Sequence, residues 1–270
     1  MILRVTDFSL DKTLNAGQTF AWEKKDGVWL SATSNPIIVR QTNPEELEYY
    51  GVTENVIKEK LGMNDDIDSI NAEIDKDDFI DKAIEYSKGL RVVQDGIWPA
   101  TLGFLLSIQS NIPLILKRIR VLSGKYGEHK ELESIKFNGF PDYTKIFDGG
   151  IEALKELKLG FRYKFVFSAA KFFAETEISN DIEEIKVQLL SITGVGEKVL
   201  DCILLYGLHD LSAFPMDVWI SRIIYKHYSH ILKDAKKYAD ARELMAGYFG
   251  RYAGYAQLFL YNYSRLNKLK

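Results

Sequence analysis

At 270 residues with 46% hydrophobic side chains, the chain is long enough for one large or two modest domains with cores of their own, and it should fold without covalent staples. Its single cysteine, Cys202, excludes internal disulfides and any four-cysteine zinc or iron–sulfur centre. The formal charge of −3 is unevenly spread: residues 1–99 carry 11 basic and 19 acidic side chains, net −8, whereas residues 100–270 carry 24 and 19, net +5. The back two-thirds therefore holds the surface that a polyanion would meet. Basic clusters stand at Lys117, Arg118, Arg120 and Lys125, and at Lys155, Lys158, Arg162, Lys164 and Lys171; each serves equally well as a solvated helix face. No apolar run approaches about 18 residues, and no charged-then-apolar leader is visible, so neither a membrane span nor a signal peptide is expected.

The first 50 residues alternate in short apolar stretches, Val28 and Leu30, then Ile37-Ile38-Val39, broken by Asn15-Ala-Gly17, Lys25-Asp-Gly27 and Ser34-Asn-Pro36. That pattern predicts antiparallel strands and turns. From Pro44 to Gly89 helical spacing appears, as in Phe79, Ala83 and Tyr86, and Leu90-Arg-Val-Val93 predicts one further strand. A soft boundary falls near residue 95. Beyond it the helical period recurs in Leu102 to Ser107, Pro113 to Tyr126, Ile151 to Leu157, Tyr163 to Thr176, Ile182 to Ile192, Val199 to Leu208, Val218 to Tyr228, Ala235 to Phe249 and Tyr252 to Leu266. The expected fold class is α+β: an N-terminal antiparallel β-sheet domain with helices over 1–95, then an all-helical domain over 96–270. No internal repeat is apparent.

The segment Leu190-Ser-Ile-Thr-Gly-Val-Gly-Glu-Lys198 carries the clearest chemistry. An apolar helical face at Ile185, Leu189 and Leu190 leads into Gly194-Val-Gly196, after which Val199 to Leu208 resumes a helix, so the segment reads as helix, tight turn, helix. Glycine at 194 and 196 permits φ > 0 and close approach of a ligand, and the unpaired N–H groups of the second helix suit an anion such as a phosphate. The plain alternative is a helix–helix connection with a glycine cap. Lys198 lies in the first turn of that helix, where an amine can act as a neutral nucleophile or simply be a solvated lysine. Asp217, in Pro215-Met-Asp217, can N-cap the next helix, and a cap alone would explain it. Together, hairpin, amine and carboxylate are the parts needed to cut a base from DNA.

Residues 185–224 resemble the helix-hairpin-helix, Gly/Pro-Asp signature of base-excision DNA glycosylases with a catalytic lysine. Within that superfamily, Gly194-Val-Gly-Glu-Lys-Val-Leu-Asp-Cys202 resembles the 8-oxoguanine DNA glycosylases, which carry a Lys-x-x-x-Cys step. The likeness extends to Gly17-Gln-Thr-Phe-Ala-Trp22, Asn138-Gly-Phe-Pro141, Leu157-Lys-Leu-Gly-Phe-Arg162 and Tyr252-Ala-Gly-Tyr-Ala-Gln257, almost the whole chain. The lone cysteine separates it from relatives of the endonuclease III type, which hold a Cys-ligated cluster.

The resemblance implies a bifunctional DNA glycosylase/AP lyase that flips 8-oxoguanine out of duplex DNA, excises it through a Lys198 Schiff base and nicks by β-elimination. Asp217 would stabilise developing positive charge on the sugar. The lesion would be held by Gly17, whose carbonyl accepts the N7 hydrogen of the oxidised base, by Cys202 and Tyr261 on its two faces, by Gln257 at its pyrimidine edge, and by Pro215. DNA contacts would come from Gln109, Asn111, Phe161 as a wedge, Arg162, Gly194, Gly196 and Val199. The carbonyls of Leu190, Ile192 and Val195 would hold a monovalent or divalent cation, with no other cofactor required.

Four positions depart from the family. Of an Asn and two Arg that grip the opposite cytosine, only Arg162 is kept; the others fall at Gln109 and Leu114, which predicts relaxed opposite-base preference. Trp219 stands where a histidine is customary, and Phe161 where a tyrosine is. The expected partner is double-stranded DNA containing 8-oxoguanine, bound by a monomer without a membrane, at a cytoplasmic or, in a prokaryote, nucleoid-associated address. A glycosylase for another oxidised or alkylated base and a non-catalytic helix-hairpin-helix binding module are the rival readings.

Overall fold

The computed structural model describes residues 1–267. Its first part contains β1 (Ile2–Arg4), α1 (Leu10–Asn15), β2 (Trp22–Lys25), β3 (Val28–Ser31), β4 (Ile37–Asn43), β5 (Glu46–Tyr50), α2 (Glu54–Lys60), α3 (Ile67–Ile74) and α4 (Asp78–Tyr86). The strands form one antiparallel sheet in the order β1-β5-β4-β3-β2. Asp26 and Gly27, both at positive φ (50° and 82°), make the two-residue turn that joins β2 to β3, the Asp-Gly chemistry such hairpins favour.

Strand alternation puts Leu3, Trp29, Ile37, Val39, Leu47 and Tyr49 into the main core. Val28, Leu30 and Ile38 face the other way.

The second part contains α5 (Ile97–Ser107), α6 (Ile112–Tyr126), β6 (His129–Leu132), β7 (Ile135–Asn138), α7 (Tyr143–Lys155), α8 (Tyr163–Glu175), α9 (Ile182–Leu190), α10 (Glu197–Leu208), α11 (Val218–His227), α12 (Tyr238–Phe249) and α13 (Ala253–Leu266). It is not all-helical. The β6–β7 hairpin projects Leu132, Ile135 and Phe137 onto Val28, Leu30 and Ile38, covering the outer face of the first sheet. Its turn, Glu133-Ser134, has φ of 48° and 62°, a conformation usually marked in a sequence by Gly or Asn.

The strand expected at Leu90–Val93 is a further correction. Leu90, Val92 and Val93 are fully buried, which explains their β-like composition, yet among the described residues no strand pairs with them. Side chains satisfy the backbone instead: Arg91 N–H donates to Thr13 Oγ1 (3.2 Å), Val92 N–H to Tyr255 Oη (3.3 Å) and Val93 N–H to Gln18 Oε1 (3.0 Å). Gln18 Nε2 returns two bonds, to the carbonyls of Thr13 (2.8 Å) and Arg91 (2.7 Å). Buried Gln18 thereby fixes the loop that contains Gly17. Helices α3 and α4 pack on α13, so the last helix closes the core of the first part and one continuous apolar core spans the chain.

Candidate active site

The turn between α9 and α10 is tight: the Val195 N–H donates to the Ile192 carbonyl (3.0 Å). Thr193 N–H donates to Ser168 Oγ (3.1 Å), tying the turn to α8. Gly194 has φ +98°, and a Cβ there would lie 2.7–3.0 Å from the Phe165 ring, so both backbone sign and space demand glycine. Gly196 differs from expectation. It takes an extended backbone (φ −109°, ψ −177°) as N-cap of α10, and its missing Cβ leaves open space rather than permitting a positive φ. No side chain caps α10, so its first-turn N–H groups face outward beside the glycines.

Lys198 follows in that first turn, its Nζ 5.0 Å from the centre of the Phe104 ring. Cys202 lies one turn on and is buried; burial pushes its thiol up to about 11, with the Lys198 side chain, in hydrogen-bonding reach, pulling the other way. A thiol so placed keeps its proton and acts as an apolar surface. Asp217 does cap α11, accepting the Ile220 N–H at 2.8 Å. The cap holds its carboxylate at the rim of the same cavity that Lys198 lines.

That cavity, about 1430 Å³, brings together Gly17, Gln109, Asn111, Gly194, Gly196, Lys198, Val199, Cys202, Pro215, Asp217, Gln257 and Tyr261. Its floor is aromatic: Phe104 stacks on Tyr206 with centroids 5.5 Å apart and meets the Phe20 edge at 5.6 Å. Gln257 is not a surface glutamine; it is 5% exposed, and its Oε1 accepts from the buried Tyr206 hydroxyl at 3.2 Å. Gly17 (φ +82°) sits where a Cβ would be 3.1 Å from Ile112 Cδ1, 3.4 Å from Arg265 Nη1 and 3.6 Å from Tyr261 Oη. The loop is therefore pressed against α13, and Arg265 Nη2 donates to the Asn15 carbonyl (3.0 Å) to hold it there.

Arg265, Phe104 and Tyr206 are site residues that motif reading misses. Gln257, Tyr261 and Arg265 recur at intervals of four on α13, and that single helical face was the signal available for Arg265.

Of the other candidates, Gln109 and Asn111 line the cavity, whereas Leu114, Phe161 and Arg162 do not. Gln109 is exposed at the tip between α5 and α6 with φ +48°, and Asn111 N-caps α6 through the Leu114 N–H (3.1 Å). Leu114 is 43% exposed. Phe161 is exposed on a 3₁₀ turn, Gly160–Arg162, edge-on to Phe165 at 5.7 Å, and Phe165 is the ring that covers Gly194. Arg162 is 5% exposed and directs its guanidinium at the carbonyls of Ile108 and Gln109. The residues Leu190, Ile192 and Val195 do not line the cavity, and among the described residues no group of three or more His, Cys, Asp or Glu side chains could hold a metal. No helix among the described residues is long and apolar enough to cross a membrane.

Residues 1–100 match the family model for the 8-oxoguanine DNA glycosylase N-terminal domain. The whole chain is similar to a probable N-glycosylase/DNA lyase of Methanothermobacter thermautotrophicus, 26% identical over 312 residues that cover 97% of that protein. In three dimensions it is similar to MBOgg1, solved with a low-affinity DNA ligand (TM-score 0.89, 27% identity, 99% of this chain and 96% of that one). It is likewise similar to the 8-oxoguanine glycosylase/lyase of Clostridium acetobutylicum, solved with double-stranded DNA containing cytosine opposite 8-oxoguanine (TM-score 0.87, 26% identity, 100% of this chain and 99% of that one). With the N-terminal model matched, the fold shared end to end, and the amine, carboxylate and glycine-lined cavity in one place, the chain is similar over its whole length to the 8-oxoguanine DNA glycosylases.

Proposed function

We propose that this chain is a DNA glycosylase and AP lyase that removes 8-oxoguanine from duplex DNA. One observation carries the reading: a single cavity gathers Lys198 and Asp217 from two helix starts with Gly17 and Gln257 from opposite ends of the chain. A glycosidic bond inside a base stack is out of reach, so the damaged nucleotide swings into the cavity while the free amides of α10 and the glycine turn grip a backbone phosphate. The flipped base lies between Cys202 and Tyr261, its pyrimidine edge meets Gln257, and its N7–H donates to the Gly17 carbonyl. Normal guanine has no hydrogen at N7 and would leave that acceptor unpaired, a cost of about 1–3 kcal/mol.

The Lys198 amine attacks C1′ as the C1′–N9 bond breaks; the base leaves with its bonding electrons and takes up the proton that the attacking amine gives up. Asp217, close by, stabilises the positive charge developing on the sugar. The sugar opens to a Schiff base on Nζ, which accepts electrons as the C2′ proton is lost and the 3′ phosphate departs, nicking the strand. The carbonyls of Leu190, Ile192 and Val195 would hold a cation beneath the phosphate. Ile192 O already accepts the Val195 N–H but keeps a second lone pair, so the turn fits such an ion. Gln109 and Leu114, in place of an Asn and an Arg, support a relaxed choice of opposite base.

Borohydride trapping tests the reading. A covalent complex with an 8-oxoguanine duplex that is absent in Lys198→Gln is expected. Trapping only with other damaged bases would assign a different glycosylase, and no trapped species with any damaged duplex would leave a binding module.

A further inference from the structure

Buried Tyr206 gives the cavity wall a fixed polarity. Its hydroxyl lies 3.2 Å from Gln257 Oε1, and both residues line the cavity while only 5% exposed. The ring is clamped in place: it stacks on Phe104 with centroids 5.5 Å apart, and the Tyr206 carbonyl accepts the Asp95 N–H at 2.8 Å. Burial raises the phenol well above the ordinary tyrosine value, so the hydroxyl keeps its proton.

The oxygen and nitrogen of a side-chain amide have nearly the same shape, so hydrogen bonding decides which end points where. Here the phenol decides. Turned one way, Gln257 Oε1 accepts the hydroxyl proton; turned the other, Nε2 would donate to the hydroxyl oxygen and leave that proton with no acceptor among the described residues. A buried donor left unpaired disfavours the second orientation on the order of 10-fold or more. In the first orientation Nε2 has no partner among the described residues and is not sealed from the cavity, so its N–H groups are presented to whatever the cavity holds. Oε1 keeps a second lone pair.

The consequence falls on position 6 of a purine. A guanine-type edge carries an acceptor at O6 beside a donor at N1, whereas an adenine-type edge carries a donor at N6 beside an acceptor at N1. An amide free to turn over pairs with either pattern. Whichever end faces position 6 when 8-oxoguanine is seated, a locked amide does not reverse for the 6-amino analogue in the same seat. We propose that Tyr206 is a positioning residue that locks the Gln257 amide, so that the cavity accepts a 6-oxopurine lesion and rejects its 6-amino analogue, 8-oxoadenine. The inference rests on the proposed function for its substrate and on this chain's own geometry for the lock.

Single-turnover release of 8-oxoguanine and of 8-oxoadenine, each opposite the same base, should be compared in wild type, Tyr206→Phe, Gln257→Met and the double variant. Phenylalanine keeps the stack on Phe104 and removes only the hydroxyl. The rate ratio of the two lesions cancels any loss of folded protein or of amine reactivity, and extrusion costs cancel between variants. Wild type should favour 8-oxoguanine, and Tyr206→Phe should cut that ratio about 10-fold. With no amide left to lock, adding Tyr206→Phe to Gln257→Met should change the ratio less than about 2-fold. A ratio unmoved by Tyr206→Phe, an equal fall in both backgrounds, or a wild type that prefers 8-oxoadenine overturns the proposal.

If wild type releases neither base, the glycosylase reading fails, and the same panel is read as duplex affinity by fluorescence anisotropy. The lock then still predicts a preference for the 8-oxoguanine duplex that Tyr206→Phe reduces, and an absent or unmoved preference overturns it. Where circular dichroism shows that Tyr206→Phe is unfolded, Tyr206→Met, which is also apolar, takes its place in both arms.

Discussion

Under the proposed function, Gly17→Ala should separate lesion recognition from the rest of the chemistry. The substitution adds one methyl group at a residue with φ +82°, which costs an L-residue about 1–2 kcal/mol, and places it 3.1 Å from Ile112 Cδ1 and 3.4 Å from Arg265 Nη1. Ile112 Cδ1 is the end of a flexible side chain and can give by a few tenths of an ångström. Arg265 can give less, because it also holds the Asn15 carbonyl. The strain should lower the melting temperature by about 2–6 °C for a chain of this size. The larger effect is local: a loop moved by about 1 Å at a base-binding wall costs on the order of 100-fold in rate. Nicking of a preformed abasic site has no base to seat and should stay within about 3-fold of wild type, since the Lys198 amine is untouched. Base release and abasic nicking would be measured in parallel under single-turnover conditions. Equal loss of both would refute the base-seating role, as would unimpaired excision.

Asp217→Asn keeps the N-cap of α11, because Asn caps as well as Asp, so the melting temperature should move by less than about 2 °C while excision falls about 100-fold or more; a variant with normal excision would reduce Asp217 to a cap. Gly194→Ala combines φ +98° with a Cβ inside contact distance of the Phe165 ring, so a loss of about 2–4 kcal/mol in stability and weaker binding to any duplex are expected, by denaturant melts and anisotropy. Asp95 is fully enclosed, and burial raises its carboxyl to about 6 despite the hydroxyl of Thr19, Lys60, and the Trp22 indole N–H at 3.3 Å. Its folded pKa lies above the unfolded value of about 3.8, so its contribution to stability is full below about pH 4 and is lost as pH rises through 6, on the order of 2–3 kcal/mol. Asp95→Asn should flatten the fall in stability between pH 4 and 6; Asp201, also raised to about 6 by burial while paired with Arg242 at 2.9 Å, retains a share of that slope. An unchanged slope in Asp95→Asn would show that Asp95 does not ionise in this range.

The parts legible in the sequence are those whose physics is local. Helix periodicity and two glycines announced the turn before α10, and Pro215-Met-Asp217 announced a capped helix start, because caps and tight turns are set by residues within one turn of each other. The β6–β7 hairpin was hidden because Glu133-Ser134 takes positive φ without Gly or Asn, held by apolar contacts to a sheet a hundred residues earlier. Leu90–Val93 was misjudged for the converse reason: its composition reports burial, and its backbone is satisfied by side chains of Thr13, Gln18 and Tyr255, which no local window reveals.

Site chemistry divides along the same line. Lys198 to Cys202 is one helical turn and is seen at once, whereas the cavity wall formed by Gly17, Gln257 and Tyr261 needs the first 20 residues to meet the last 20. Arg265 accomplishes that meeting by reaching from α13 to the Asn15 carbonyl, with its guanidinium 5.7 Å from the Tyr261 ring that faces Gly17. The glycine turn before Lys198 and the Gly17 side of the cavity therefore rest on different supports: α8 through Ser168 and Phe165 for the first, α13 and buried Gln18 for the second. Under the proposed reading, such a division would let the choice of base vary while nicking chemistry is kept. It is also why a single methyl at residue 17 should disable excision yet leave the lyase reaction running.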